Sequence, residues 1–265
     1  MKEKIMRIFF AILTAGLASS FVMGTPVLAN KGLEIATEVI QRDEGWGDTS
    51  SKMTMILKDK YGQSTQRSLR NKSLEGSMEG DKSLVIFDTP GDVRGTAFLS
   101  HTKKTGSDDQ WLYLPALKRV KRIASSNKAG PFMGSEFSFE DIASQEIEKY
   151  TYKYLSDEKY NGVDCFVVEY DPVDRKSGYS IQKTWIDQSK YIVLKTEYYD
   201  RKKSLLKTLT FDGYKKYDGK FWRADTFLMI NHQTGKETEL RYENWVFGTG
   251  LSEKDFNKST LKKVK

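Results

Sequence analysis

The sequence predicts a mainly β, α+β protein: one unclosed, strongly curled antiparallel β-barrel of about 10–11 strands, with helices packed on its concave side. Three observations carry this. Apolar and polar residues alternate with period two through most of the chain. The alternating runs are separated by short turn sequences, among them Asn161-Gly162, Asp218-Gly219 and Thr234-Gly235. No long helical crossover of the kind that parallel pairing needs comes between them. So large a sheet curls, and its concave face encloses a cavity whose Met and aromatic side chains suit adaptable apolar contact.

Residues 1–29 combine a cationic start (Lys2, Lys4, Arg7), an apolar run over 8–18 and the exit Val27-Leu28-Ala29. This reads as a secretory signal cut before Asn30, leaving 30–265 as a single domain. The run is too short for a span of about 20 residues, and no cysteine near the cut could carry a lipid. An exported, periplasmic protein is expected. Cleavage removes three basic residues and one acidic one from a chain of net charge +7, so a moderate basic excess remains. That gives no reason to expect nucleic acid as a partner. Anionic headgroups are the more accessible anions, although basic residues spread over solvated strands explain the balance equally well. Cys165 is the one cysteine of the chain, so no internal disulfide forms, and its apolar setting reads as a buried thiol.

Leu33, Ala36, Val39 and Ile40 fall at helical spacing and predict an amphipathic helix over 33–41. Strand patterns follow over 52–58, 64–74, 83–87 and 96–101, and later over 148–155, 165–171, 179–187, 191–199, 205–214, 221–231 and 237–247. Between these two groups lies the most individual part of the chain. Residues 111–114 form an aromatic strand that Pro115 must end, and 118–123 resume extended with cationic stems around Val120, so the two make a hairpin. Residues 125–134 carry glycine yet also Phe132 and Met133, with Phe137 and Phe139 directly after. Leaving such side chains in water forfeits about 1.5–3 kcal/mol each, so they must cover something. Ser138 and Asp141 form a capping signal for a short helix from 139 to about 145.

This arrangement reads as a lid over an apolar cavity, whose mouth is formed or covered by Trp111, Tyr113, Leu114, Phe132, Met133, Phe137 and Phe139. The alternative is that the loop side chains complete a core under a long connection. Lys118, Arg119, Lys121 and Arg122 display charge on both faces of their strand. They are candidates for contact with anionic headgroups or an acidic partner, or they protect an edge strand from aggregation.

The run 110–123, Gln-Trp-Leu-Tyr-Leu-Pro-Ala-Leu-Lys-Arg-Val-Lys-Arg-Ile, and the run 132–141, Phe-Met-Gly-Ser-Glu-Phe-Ser-Phe-Glu-Asp, closely resemble the outer membrane lipoprotein-sorting protein family. That family belongs to the LolA- and LolB-like lipoprotein-carrier superfamily. Agreement extends to Gly95-Thr96-Ala97-Phe98-Leu99, to Asp218-Gly219-Lys220-Phe221-Trp222 and to the ending over 250–256, so it covers essentially the whole of 30–265. The resemblance implies an unclosed antiparallel barrel plugged by helices, an interior that accepts lipid or lipoprotein acyl chains, no cofactor, and association with an RND-type inner-membrane exporter and the outer membrane.

Signals of catalysis are thin. His101 and His232 have no second metal ligand at helical spacing, no Gly-x-Ser-x-Gly elbow occurs, and the glycines at 91 and 95 lack a phosphate-loop ending. Three readings stay open at this point: a non-enzymatic carrier, which the cavity and the resemblance favour; a lipid-modifying hydrolase; and an accessory subunit of an envelope export complex.

Overall fold

In the computed structural model the described residues are 25–76 and 79–263. The signal segment expected over 1–29 lies outside the residues whose side chains are described. Helix α1 (Thr25–Asp43) is followed by strands β1 (Asp48–Lys58), β2 (Ser64–Leu74), β3 (Lys82–Thr89), β4 (Ala97–His101), β5 (Asp109–Leu114) and β6 (Arg119–Ile123). After a long irregular strap come β7 (Tyr150–Tyr160), β8 (Val163–Pro172), β9 (Tyr179–Asp187), β10 (Val193–Asp200) and β11 (Leu205–Asp212). The remaining strands are β12 (Lys215–Tyr217), β13 (Phe221–Arg223), β14 (Thr226–Asn231) and β15 (Glu237–Phe247).

All strands but β12 and β13 join one sheet of 13 strands in the order β6-β5-β4-β3-β2-β1-β15-β14-β11-β10-β9-β8-β7. Two meanders run outward from a central seam. The seam is the pairing of β1 with β15, in which Met53 faces Tyr242 and Met55 faces Leu240. The expected antiparallel, unclosed sheet is present, with more strands than the 10–11 anticipated. One segment, 221–231, does not behave as a single strand. It breaks at Ala224 and Asp225, and its first part pairs with β12 in a separate ribbon beside α1.

The period of two sorts the side chains of each strand onto two faces. On β3, Val85 and Phe87 enter the main core with Met53, Met55, Leu69, Phe98, Leu209, Met229 and Leu240, while Leu84 and Ile86 point the opposite way. That second face is covered by short 3-10 turns at the C-terminus, through Phe256 and Leu261. Helix α1 lies on the concave side and buries Ile35 and Ala36 against Tyr152, Val168, Tyr170 and Ile186. Its approach is close at Gly32, where a Cβ would stand 2.6 Å from the Tyr154 amide nitrogen. The helix thereby lies across the face of the last strands of the sheet, β7 and β8. Cys165 is fully buried and unpaired, and burial pushes its thiol pKa up.

Candidate functional site

The strap over residues 124–146 crosses the concave face and fills it. Phe132 is fully buried; its ring lies 5.1 Å from that of Phe98, 6.0 Å from Phe87 and 5.7 Å from Phe139. Phe137 is buried beside it, and Met133, Phe139 and Ile142 pack on the same core at its margin. A tight reversal makes this possible. Met133 and Gly134 both adopt positive φ, at 51° and 78°, and the arms close through Phe132 N–H to Phe137 O at 2.7 Å and Phe139 N–H to Gly130 O at 3.1 Å. The unbranched Met133 bears a conformation that glycine adopts at no cost.

The short helix expected from 139 to about 145 does not form. Asp141 does accept the Ser138 N–H, at 2.6 Å, so the capping contact is real. The same carboxylate also takes the Tyr179 hydroxyl at 2.7 Å and the Lys207 ammonium at 2.6 Å. Those contacts draw the chain onto the sheet, and a helix of barely two turns has too little cooperativity to resist them. Lys207 also donates to Glu136 O at 2.9 Å, and the pair is almost fully buried, with side-chain exposures of 5% for Lys207 and 3% for Asp141.

Polar anchors from widely separated strands hold the rest of the strap. Arg67 donates to Met133 O at 2.6 Å, Gln110 to Phe139 O at 2.9 Å and Asn231 to the Glu136 carboxylate at 2.6 Å. Glu140 accepts from Ser177 Oγ at 2.9 Å and from Gly178 N–H at 2.8 Å, while burial pushes its pKa up. An irregular segment is thus tied down by side chains, with its aromatic rings inside the sheet.

The predicted cavity residues divide between the two faces. Leu114, Phe132, Met133, Phe137 and Phe139 gather in the main core under the strap. Trp111 and Tyr113 do not join them. Their parity on β5 sends them to the convex face, where they pack with Phe256 and Leu261, and His101 stands edge-on to Trp111 at 5.1 Å. Leu112 and Leu114 are the residues of that strand that turn inward. Sequence alone could not assign this parity, since both faces of the strand are apolar.

Of the basic hairpin, Arg122 pairs with Asp109, which Lys103 also meets at 2.7 Å. Lys118 and Arg119 line a shallow groove of about 700 Å³ together with Lys258 and Lys262 of the C-terminal turns. The contribution of the C-terminus to this cationic surface had no signal in the local sequence. At the hairpin tip Leu117 is 59% exposed. Since β6 ends the sheet, these charges also lie on a free edge.

Three further openings flank the concave side. One, of about 400 Å³, lies between the two ends of the sheet: Gln110 and Ile123 line it from one end, and Tyr150, Gln182 and Tyr198 from the other. A second, of about 650 Å³, is an acidic cleft near the end of α1 that includes Asp43, Glu75, Asp81 and Glu146. The third, of about 700 Å³, is a groove between α1 and β10–β11 with Tyr191, Phe211, Tyr214 and Trp222 in its wall and Arg42, Lys190, Lys216 and Lys220 around it.

His101 Nε2 lies 2.7 Å from Phe256 O, and His232 Nε2 lies 2.7 Å from the Thr208 hydroxyl. Among the described residues no three His, Cys, Asp or Glu side chains cluster as metal ligands.

An open antiparallel sheet, curled around an apolar strap and flanked by a helix on the same side, defines an unclosed half-barrel. Comparison with known proteins places the chain among such folds. A family model described as an "Uncharacterized protein"-like family matches residues 79–263. A domain from Vibrio parahaemolyticus, described as an outer membrane lipoprotein-sorting protein domain, is 60% identical, with a TM-score of 0.87 over 88% of this chain and 99% of that one. A DUF1329 family protein from Desulfovibrio piger is 31% identical, with a TM-score of 0.84 over 88% of this chain and 99% of that one. A LolA superfamily protein from Nitrosomonas europaea shares the fold at 22% identity, with a TM-score of 0.67 over 88% of this chain and 98% of that one. No curated protein matches. The chain belongs to the outer membrane lipoprotein-sorting protein family, with a LolA-like fold.

Proposed function

We propose that this protein is a periplasmic carrier, not an enzyme, that binds lipid or the acyl chains of lipoproteins against the concave face of its sheet and moves them toward the outer membrane. Association with an RND-type inner-membrane exporter belongs to the same reading, on the strength of the family resemblance. One observation carries it: the space inside the half-barrel is filled by Phe132, Phe137 and Phe139 of an irregular segment held by side-chain anchors. Such a segment can leave without dismantling the sheet. An acyl chain entering in its place gains about 0.8 kcal/mol per buried methylene, which offsets the loss of the three rings once about six to eleven methylenes are covered.

A locked strap tests this. Glu136→Cys with Asn231→Cys, bridged through disulfides by a short bis-thiosulfonate reagent and checked by mass, ties the strap to β14 by a reducible link where a 2.6 Å hydrogen bond now stands. The bridged protein is expected to lose binding of a fluorescent fatty acid, and reduction to restore it. Equal binding in both redox states, or no binding by the wild type, would mean that the strap is permanent core and that the carrier reading is wrong.

A further inference from the structure

The groove of about 700 Å³ between α1 and β10–β11 joins an apolar wall to a cationic rim, and no residue of the strap lines it. It is built where the last turns of α1 meet the β9–β10 turn and the β12–β13 ribbon. Its wall bridges two apolar clusters that are otherwise separate. Phe211 packs at the margin of the main core, whereas Val39, Tyr191 and Val193 pack with the cluster between α1 and β7–β9. An apolar chain lying in the groove therefore reaches Phe211, through which the groove meets the main core. One wall residue is held at a conformational cost. Tyr191 adopts a positive φ of 56°, a region that side chains seldom occupy and that recurs where a binding surface is built. Its amide donates to Asp187 O at 2.8 Å, and the Arg42 guanidinium stands 4.1 Å from its ring.

The charges of the rim do not cancel. Asp43, the carboxylate of the lining, is bound to Arg223 at 2.5 Å, while Arg42 pairs with Glu38 at 2.7 Å and Lys190 with Asp187 at 3.5 Å. Lys216 and Lys220 pair with no carboxylate among the described residues. The Lys216 ammonium lies 5.8 Å from the centre of the Trp222 ring, which Lys190 approaches to 5.5 Å, and the Lys220 ammonium donates to the Glu44 carbonyl. The groove is therefore positive, with two exposed ammoniums left over beside an apolar wall. A cationic head group meets like charge there, and a neutral one leaves both lysines unmatched. An anion carried on an apolar tail satisfies the rim and the wall together. Each ammonium acts as a point charge, and a phosphate, with its charge spread over several oxygens, meets two of them at once.

Resting on the carrier reading above, we propose that this groove receives the phosphate head group of an anionic amphiphile that carries no ammonium, with Lys216 and Lys220 as its counter-charges. The apolar tail then runs along the wall past Phe211 toward the main core.

The test compares lauroyl lysophosphatidate, lauroyl lysophosphatidylcholine and glycerol 3-phosphate by titration calorimetry, below the micellar concentrations of the lipids and on the full exported chain. Lysophosphatidate is expected to bind about tenfold tighter than the choline lipid, the range for one or two exposed charge contacts. Glycerol 3-phosphate, which has no tail to bury, should bind at least about a hundredfold more weakly than lysophosphatidate. Lys216→Gln with Lys220→Gln, both at exposed positions, should bring the two lipids to within about twofold of each other and leave the choline lipid's affinity unchanged. Removing the same charge beyond the far end of β10, by Lys202→Gln with Lys203→Gln, should keep the preference intact. Equal affinity of the wild type for the two lipids overturns this inference and leaves the carrier reading standing. So does a preference that survives the Lys216 and Lys220 changes or is lost with the Lys202 and Lys203 changes, and so does glycerol 3-phosphate binding as tightly as the lipid. If neither lipid binds, the carrier reading falls and this inference with it.

Discussion

Lys207 and Asp141 lie 66 positions apart, yet they form the most enclosed ion pair described in the chain. Asp141 is held by the Ser138 amide, the Tyr179 hydroxyl and the Lys207 ammonium together, so its desolvation is compensated. Removing one partner leaves the other as an uncompensated buried charge. Lys207→Met should lower the unfolding free energy by about 3 kcal/mol or more in urea titration, whereas Lys207→Met combined with Asp141→Leu should recover much of that loss. A single-variant cost below about 1 kcal/mol would mean that the pair does not hold the strap. Glu146 offers a test of the opposite sign. Burial, reinforced by Asp81, pushes its pKa up from 4.5 to about 7. The folded state then holds that proton more tightly than the unfolded chain, so the group leaves stability intact below about pH 4.5 and lowers it as pH rises toward 7. Glu146→Gln should raise Tm by about 2 °C or more at pH 8 and leave it unchanged at pH 4; an equal shift at both pH values would refute the assignment. Neither Lys207 nor Glu146 is marked in the sequence, because burial and partner charge come from segments distant along the chain.

The strap and the basic hairpin show which elements local pattern can reach. The hairpin was legible: Pro115 ends β5 as expected, and Lys118 turns the chain at a positive φ of 47°. The strap was half legible. Its aromatic residues announced a buried role, and the Ser138-Asp141 contact is present, but the helix it predicts is displaced by tertiary bonds that cost less than nucleating a short helix. Lys118 and Arg119 form a cationic groove with Lys258 and Lys262, which we propose, under the carrier reading, as the surface that meets anionic headgroups. Lys118→Glu with Arg119→Glu should weaken binding to vesicles containing anionic lipid by at least tenfold at low salt, with the difference shrinking as ionic strength rises, since each exposed cation near such a surface contributes about 1 kcal/mol. Unchanged binding at low salt would leave these charges with only the protection of the β6 edge to explain them.

Across the whole molecule, the alternation of apolar and polar residues determined that the chain forms one large antiparallel sheet. Turn dipeptides such as Asn161-Gly162, both at positive φ, placed its hairpins. These signals are local, since strand periodicity and turn stereochemistry depend on neighbouring residues. The motif runs around 110–123 and 132–141 carried the family. Tertiary structure alone decided which face of β5 is the inner one, because Trp111 and Tyr113 are as apolar as Leu112 and Leu114 and only the C-terminal turns over Phe256 and Leu261 break the tie. It alone put Lys207 beneath Asp141, brought Lys258 beside the hairpin, and curled the sheet until Gln110 and Gln182 came to line one cavity. Those juxtapositions follow from the twist and curl of thirteen strands, a collective geometry to which no single stretch of sequence is sensitive.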